Sequence, residues 1–190
     1  MFNAVVRVLE WLFRRSPPAP PPTPSVVEEP SYRLRVPKSI IRELREVSQP
    51  NAGRGEPLTF LRARFVSEDS RTIMVGISVV PFPEGAYVDG PAEANFDTGW
   101  AVDFANEQIG ANVGLMLVHS HGGNGMPNFS GVDTRTNRSV MAALAIGNET
   151  VPYGAVVLSD SDARGVVAVA STLKDVHVVA VPDFFGKVSA

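Results

Sequence analysis

The run Val113-Gly114-Leu115-Met116-Leu117-Val118 ends in His119-Ser120-His121, and this junction of an apolar stretch with paired histidines constrains the chain most. A short, nearly continuous apolar run bounded by turn formers reads as a buried strand. Residues i and i+2 of an extended chain point to the same side, so both imidazoles can reach one ion. The following residues, Gly122-Gly123-Asn124-Gly125-Met126-Pro127-Asn128-Phe129, are rich in turn formers and read as a loop. Ser130 then reads as the N-cap of a helix running to Ala145, with Asp133 three residues on. A rigid strand therefore delivers two nitrogen ligands into a loop, where function commonly resides.

Two His and an Asp at this spacing can build a hydrolytic zinc site. Catalytic zinc typically takes three protein ligands from His and carboxylate and keeps a fourth position open. Water in that position is acidified until it is a nucleophile near neutral pH. The chain has no cysteine, so any zinc must be held by nitrogen and oxygen. His119 and His121 are the expected nitrogen ligands and Asp133 the expected third.

The pair His119-Ser120-His121 and Ser130-Gly131-Val132-Asp133 resembles the JAB/MPN metalloprotease family, also called JAMM proteases. Its signature is an upstream Glu, then His-x-His, seven residues, Ser, two residues and Asp. The spacer here, Gly122 to Phe129, is one residue longer. An extra residue in a Gly-rich loop adds little closure entropy. The resemblance spans Tyr32 to Val169 and implies an α/β fold, a mixed β-sheet core flanked by helices. It also implies a general base: a Glu that opens an early apolar strand after a helix and a loop. Ile40, Ile41, Leu44 and Val47 share one face of a helix expected over 36–47, with Pro37 near its start. Pro50 to Gly55 forms the loop, and Glu56 opens Pro57 to Ala63, so Glu56 is the expected base, with Glu84 and Glu93 as possible substitutes. Ser130 would stabilise the oxyanion of the tetrahedral intermediate, a role open to a hydroxyl donor beside the reacting carbonyl.

The activity implied by the resemblance is zinc-dependent cleavage after the C-terminus of a ubiquitin-like protein, either maturing a precursor or removing the modifier from its targets. The compact size looks like the stand-alone bacterial or archaeal members, some of which act beside activating and conjugating enzymes in antiphage systems. The substrate tail would add as a strand to a sheet edge. Other readings are a non-catalytic scaffold of the same fold, a DNA-repair relative, and a metallohydrolase acting on a small conjugate or a carrier protein's tail. A net charge of −3 gives no support to nucleic-acid binding.

The chain divides into three parts. Residues 1–15 place Phe2, Val5, Val6, Leu9, Leu12 and Phe13 at helical spacing, an amphipathic helix too short and too charged to span a bilayer. It lacks the order of a signal peptide, so a cytoplasmic location is expected. Residues 16–30 are a stiff Pro-rich linker, which holds that helix ready to dock on a partner, on the domain itself or on a membrane surface. Residues 31–190 form the expected JAB/MPN domain, and the 190-residue chain, 44% hydrophobic, is long enough for a proper core. Within it, a hairpin is expected with its turn at Ser67 to Arg71, a helix over 100–109, and strands over 154–158, 166–170 and 176–181. His177 lies in an alternating apolar strand without a partner at metal spacing and reads as structural. Asp160 and Asp162 read as a hairpin turn.

Overall fold

A computed structural model describes residues 32–49, 57–68, 71–82, 97–107, 113–145, 153–169 and 172–183. The expected N-terminal helix and Pro-rich linker lie outside them. The elements in chain order are β1 (Tyr32–Pro37), α1 (Lys38–Val47), β2 (Thr59–Glu68), β3 (Arg71–Pro81), α2 (Thr98–Glu107), β4 (Val113–Ser120), α3 (Gly131–Ala145), β5 (Tyr153–Leu158), β6 (Ala163–Val169) and β7 (Thr172–Val181).

The strands close into a barrel in the order β1-β3-β2-β4-β5-β6-β7. Pairing is parallel for β1 with β3, β1 with β7, and β4 with β5, and antiparallel elsewhere. This corrects the expected fold. The sheet is not an open mixed sheet flanked by helices in the JAB/MPN manner but a closed, mainly β architecture, with three short helices among the described residues. The physical cause is β1. Tyr32-Arg33-Leu34-Arg35-Val36 alternates with period two and buries Leu34 and Val36. It pairs with β3 on one side and β7 on the other, which joins the two ends of the sheet. The helix expected from Val36 begins at Lys38, because Pro37 keeps an extended backbone (φ −53°, ψ 143°).

Closure divides the core in two. All seven strands contribute to one cluster, with Leu34, Leu61, Met74, Met116, Val118, Val156, Leu158, Val167 and Val176 among its members. It is therefore the barrel interior, and α1 adds Ile41 and Leu44 to it. The fully buried strand residues of the other cluster come from β2, β4 and β5, among them Phe60, Leu115, Leu117 and Ala155, and Val80, Val166, Ala168 and Leu173 pack against it. Ala101 and Ala105 of α2 and Val140, Met141 and Leu144 of α3 cover it from outside. Asp97 accepts from the Gly99 and Trp100 N–H groups at the start of α2 (2.7 and 3.3 Å). Trp100 and Phe104 of that helix stack on Phe60. Gly154 has to be glycine: a Cβ there would run into the Met116 side chain and the Val166 carbonyl. Among the described residues, no helix is long and apolar enough to cross a membrane.

Candidate metal centre

The site grows from the β4–α3–β5 unit. Every residue of β4 is buried, as expected of a strand covered on both faces. Met116 and Val118 face the interior, while Leu115 and Leu117 face the outer cluster. Alternation continues that outer row into His119 and then His121. The strand ladder pairs His119 with Val157, and the His121 N–H still donates to the Leu158 carbonyl at 3.0 Å. Both histidines thus stand on a backbone fixed by β5.

The third group comes from the first turn of α3. The Asp133 N–H donates to Ser130 Oγ at 3.1 Å, and the Ser130 N–H donates to Asp133 Oδ2 at 2.6 Å. This is a reciprocal capping box with Asp in place of the usual Glu or Gln. One motif therefore starts the helix and sets the direction of the carboxylate. The expected cap at Ser130 and the helix to Ala145 are both found.

Three ligand atoms converge. His119 Nε2 and His121 Nε2 are 3.1 Å apart, His119 Nε2 lies 3.5 Å from Asp133 Oδ1, and His121 Nε2 lies 3.3 Å from Asp133 Oδ2. Ligands bound to zinc at about 2.0–2.1 Å in a tetrahedron stand about 3.3 Å from one another; the two imidazole nitrogens are at about that spacing, and each carboxylate oxygen of Asp133 comes close to one of them. Among the described residues this is the one group of three or more such side chains that could hold a metal ion. Exposure is graded across it. The side chains of His119, Asp133 and His121 are 5%, 16% and 27% exposed, so the face beside His121 opens to solvent. An open side is what separates a reactive metal site from a closed structural one.

Protonation fits the same purpose. Burial pushes the His119 imidazole below its ordinary value; the Asp133 carboxylate opposes this and His121 adds to it. For Asp133, burial pushes upward, but hydrogen bonds from Ser130 and the two imidazoles outweigh it and hold the carboxyl below its usual range. A neutral imidazole and an ionised carboxylate are the forms that ligate metal.

Residues that the motif did not reveal hold the loop in place. The turn between β5 and β6 clamps it: the Asp160 N–H donates to the Gly123 carbonyl (2.8 Å), and Ser159 Oγ donates to the Gly125 carbonyl (2.7 Å). In return the Gly125 N–H donates to Ser161 Oγ at 2.8 Å. Gly123 and Gly125 have φ of 70° and 94°, a conformation that favours glycine. Arg164 Nη1 donates to Asn128 Oδ1 at 2.6 Å, and Arg45 of α1 reaches the Ser159 carbonyl at 3.1 Å. Asp160 and Asp162 do lie in a hairpin turn, as their sequence suggests, yet that turn also buttresses the site. The run Ser159-Asp160-Ser161-Asp162 signals a turn but not its partner, which is distant in sequence.

Glu56, Glu84 and Glu93 are outside the described residues. The residues next to Glu56 approach the site: Thr59 pairs with Val118 of β4, and Pro57 and Leu58 precede it. His177 occupies an exposed position on β7, in register with Arg33.

No protein-family model matches the chain. No curated protein matches it. The solution structure of protein DSY2949 from Desulfitobacterium hafniense is similar at 15% identity, over 79% of this chain and 94% of that one, with a TM-score of 0.47.

Proposed function

We propose that this chain is a zinc-dependent amide hydrolase, a peptidase or isopeptidase acting after the C-terminal tail of a ubiquitin-like protein. The single observation that supports it most is the convergence of His119, His121 and Asp133, whose ligand atoms all lie within 4.8 Å of one another with one side open to solvent. A divalent ion held there would polarise a substrate carbonyl and acidify water. The preference for zinc over other ions comes from the nitrogen-rich, thiolate-free donor set.

The chain's own groups divide the remaining work. His119 and His121 present Nε2 from a rigid strand end. Asp133 supplies a carboxylate whose direction Ser130 sets. In the capping box Ser130 Oγ accepts from the Asp133 N–H, and its hydroxyl also bonds the Asp133 carboxylate, so it would turn from that carboxylate to donate to an oxyanion beside the site. Capping and oxyanion support are therefore compatible in one hydroxyl. Glu56 is the proposed base that takes the proton from water and delivers it to the leaving amine.

The closed barrel changes how substrate would dock. Among the described residues no strand is an edge strand, so the tail does not simply extend an open sheet. The loop Gly122 to Phe129 is the proposed contact, with Met126 60% exposed on it. The same closure favours a second reading, a metallohydrolase of small conjugates, which needs no sheet edge. Activating and conjugating enzymes of a bacterial ubiquitin-like pathway are the partners this proposal implies, in antiviral defence.

Cleavage of ubiquitin-like fusions, set beside small amide conjugates of the same C-terminal residues, tests the proposal. The account expects chelator-sensitive cleavage of the fusion, restored by zinc. Glu56→Ala should keep zinc and lose turnover by at least about 100-fold. Cleavage of small conjugates alone would move the assignment to the second reading. Zinc-loaded protein inert toward both would contradict hydrolysis.

A further inference from the structure

Asn137 is the one polar side chain among the buried residues of α3, alongside Val140, Met141 and Leu144, and it is 3% exposed. Its Nδ2 is fully buried and makes no hydrogen bond among the described residues. Buried amide donors are nearly always paired, so an isolated one points to a partner that the protein chain alone does not supply. Its position suggests which. Asn137 lies four residues beyond Asp133, on the same helix face and one turn deeper. Helical side chains lean toward the helix N-terminus, so its amide leans toward the turn that carries Ser130 and Asp133. Its surroundings are otherwise apolar: the stripe runs on into the outer cluster with Leu115, Leu117 and Met141. Packing alone would favour leucine there.

We infer that Asn137 is a positioning residue for the metal centre. Its amide donor steadies the Asp133 carboxylate through one buried water, in the direction that faces His119 and His121. The capping box holds Asp133 Oδ2 from the solvent side of the helix start. Asn137 would hold the same carboxylate from the core side. A ligating carboxylate is itself hydrogen-bonded in well-formed metal sites, and losing such a partner weakens metal binding. This inference rests on the proposed metal site, and its test separates the two.

Zinc affinity, measured by competition with a chromophoric chelator, is compared with metal-free thermal stability for wild type, Asn137→Leu and Asn137→Ala. Cobalt(II) absorption reads the coordination geometry in each. The expected result is a 10- to 100-fold, roughly, loss of zinc affinity and an altered cobalt spectrum. Metal-free melting of Asn137→Leu should be unchanged or higher. The smaller Asn137→Ala covers the case in which leucine does not fit. Unchanged zinc affinity in a folded variant would overturn the inference, and so would a fall in metal-free melting that accounts for the whole affinity loss. A wild-type chain that binds neither zinc nor cobalt would overturn the metal site beneath it.

Discussion

Met116 and Val118 look into the barrel from β4, while Leu115, Leu117 and His119 line the opposite face of the same strand. The inner face meets side chains from every other strand of the barrel and is apolar up to the buried Ser120 that ends it. The outer face belongs to a cluster covered by two helices, and its row ends, where the strand runs out, in a group that could hold a metal ion. The comparison teaches a division of labour. Closure of the sheet lets the interior stabilise the fold without help from the outer layer. The outer layer is then free to carry groups that folding alone would not select, such as the neutral, buried His119 and the unpaired amide of Asn137.

The comparison breaks most visibly if inner-face changes alter the site. Met116→Ala removes a fully buried side chain and should cost about 2–5 kcal/mol in denaturant unfolding. The folded fraction should still bind zinc normally. A smaller effect is expected at the junction of the two layers. Ser130→Ala deletes the cap acceptor and should cost about 1 kcal/mol. It should also weaken zinc binding, because the direction of Asp133 depends on that cap. Chemical denaturation paired with a zinc titration reads both.

The smallest effect is in pH dependence, and it separates site from scaffold. His119 has a folded pKa below its ordinary value, so the unfolded chain takes up the proton first as pH falls. Its contribution to metal-free stability declines as pH drops below about 6.5. Asp183 caps the start of α1 by accepting from the Ser39 N–H and hydroxyl at 2.9 and 2.8 Å. These bonds hold its carboxyl below the usual range. Its contribution is present above that range and lost at lower pH. His119→Ala should therefore flatten the stability curve between about pH 7 and 5, and Asp183→Asn only the acid limb. Urea midpoints across pH, measured on metal-free protein, would show whether the two limbs separate.

Much of the site was legible because its signals are local. The apolar run of β4, the loop formers after His121 and the cap at Ser130 all lie within a stretch of sequence that folds on itself. Glycine, serine and alternation identify such elements without knowledge of distant partners. The barrel was not legible for the opposite reason. Closure depends on six residues, Tyr32–Pro37, and both of their pairings are parallel and distant in sequence. A parallel partner leaves no hairpin turn to announce it. The alternation of Leu34 and Val36 with Arg33 and Arg35 was a strand signal, but the helical pattern of Ile40, Ile41 and Leu44 directly after it competed for Val36 and Pro37. The clamp from Ser159 and Ser161 stayed hidden likewise, since it joins residues more than 30 apart in sequence, as the separations of 34 and 36 show. Resemblance through the motif pointed to three side chains that could hold a metal ion and misled on the fold around them.

Metal content decides the central claim most directly. Elemental analysis of untagged, purified protein should find about one zinc per chain in wild type and none in His119→Ala, with both proteins folded. Absence of bound metal in wild type, with no uptake on zinc titration, would contradict the account.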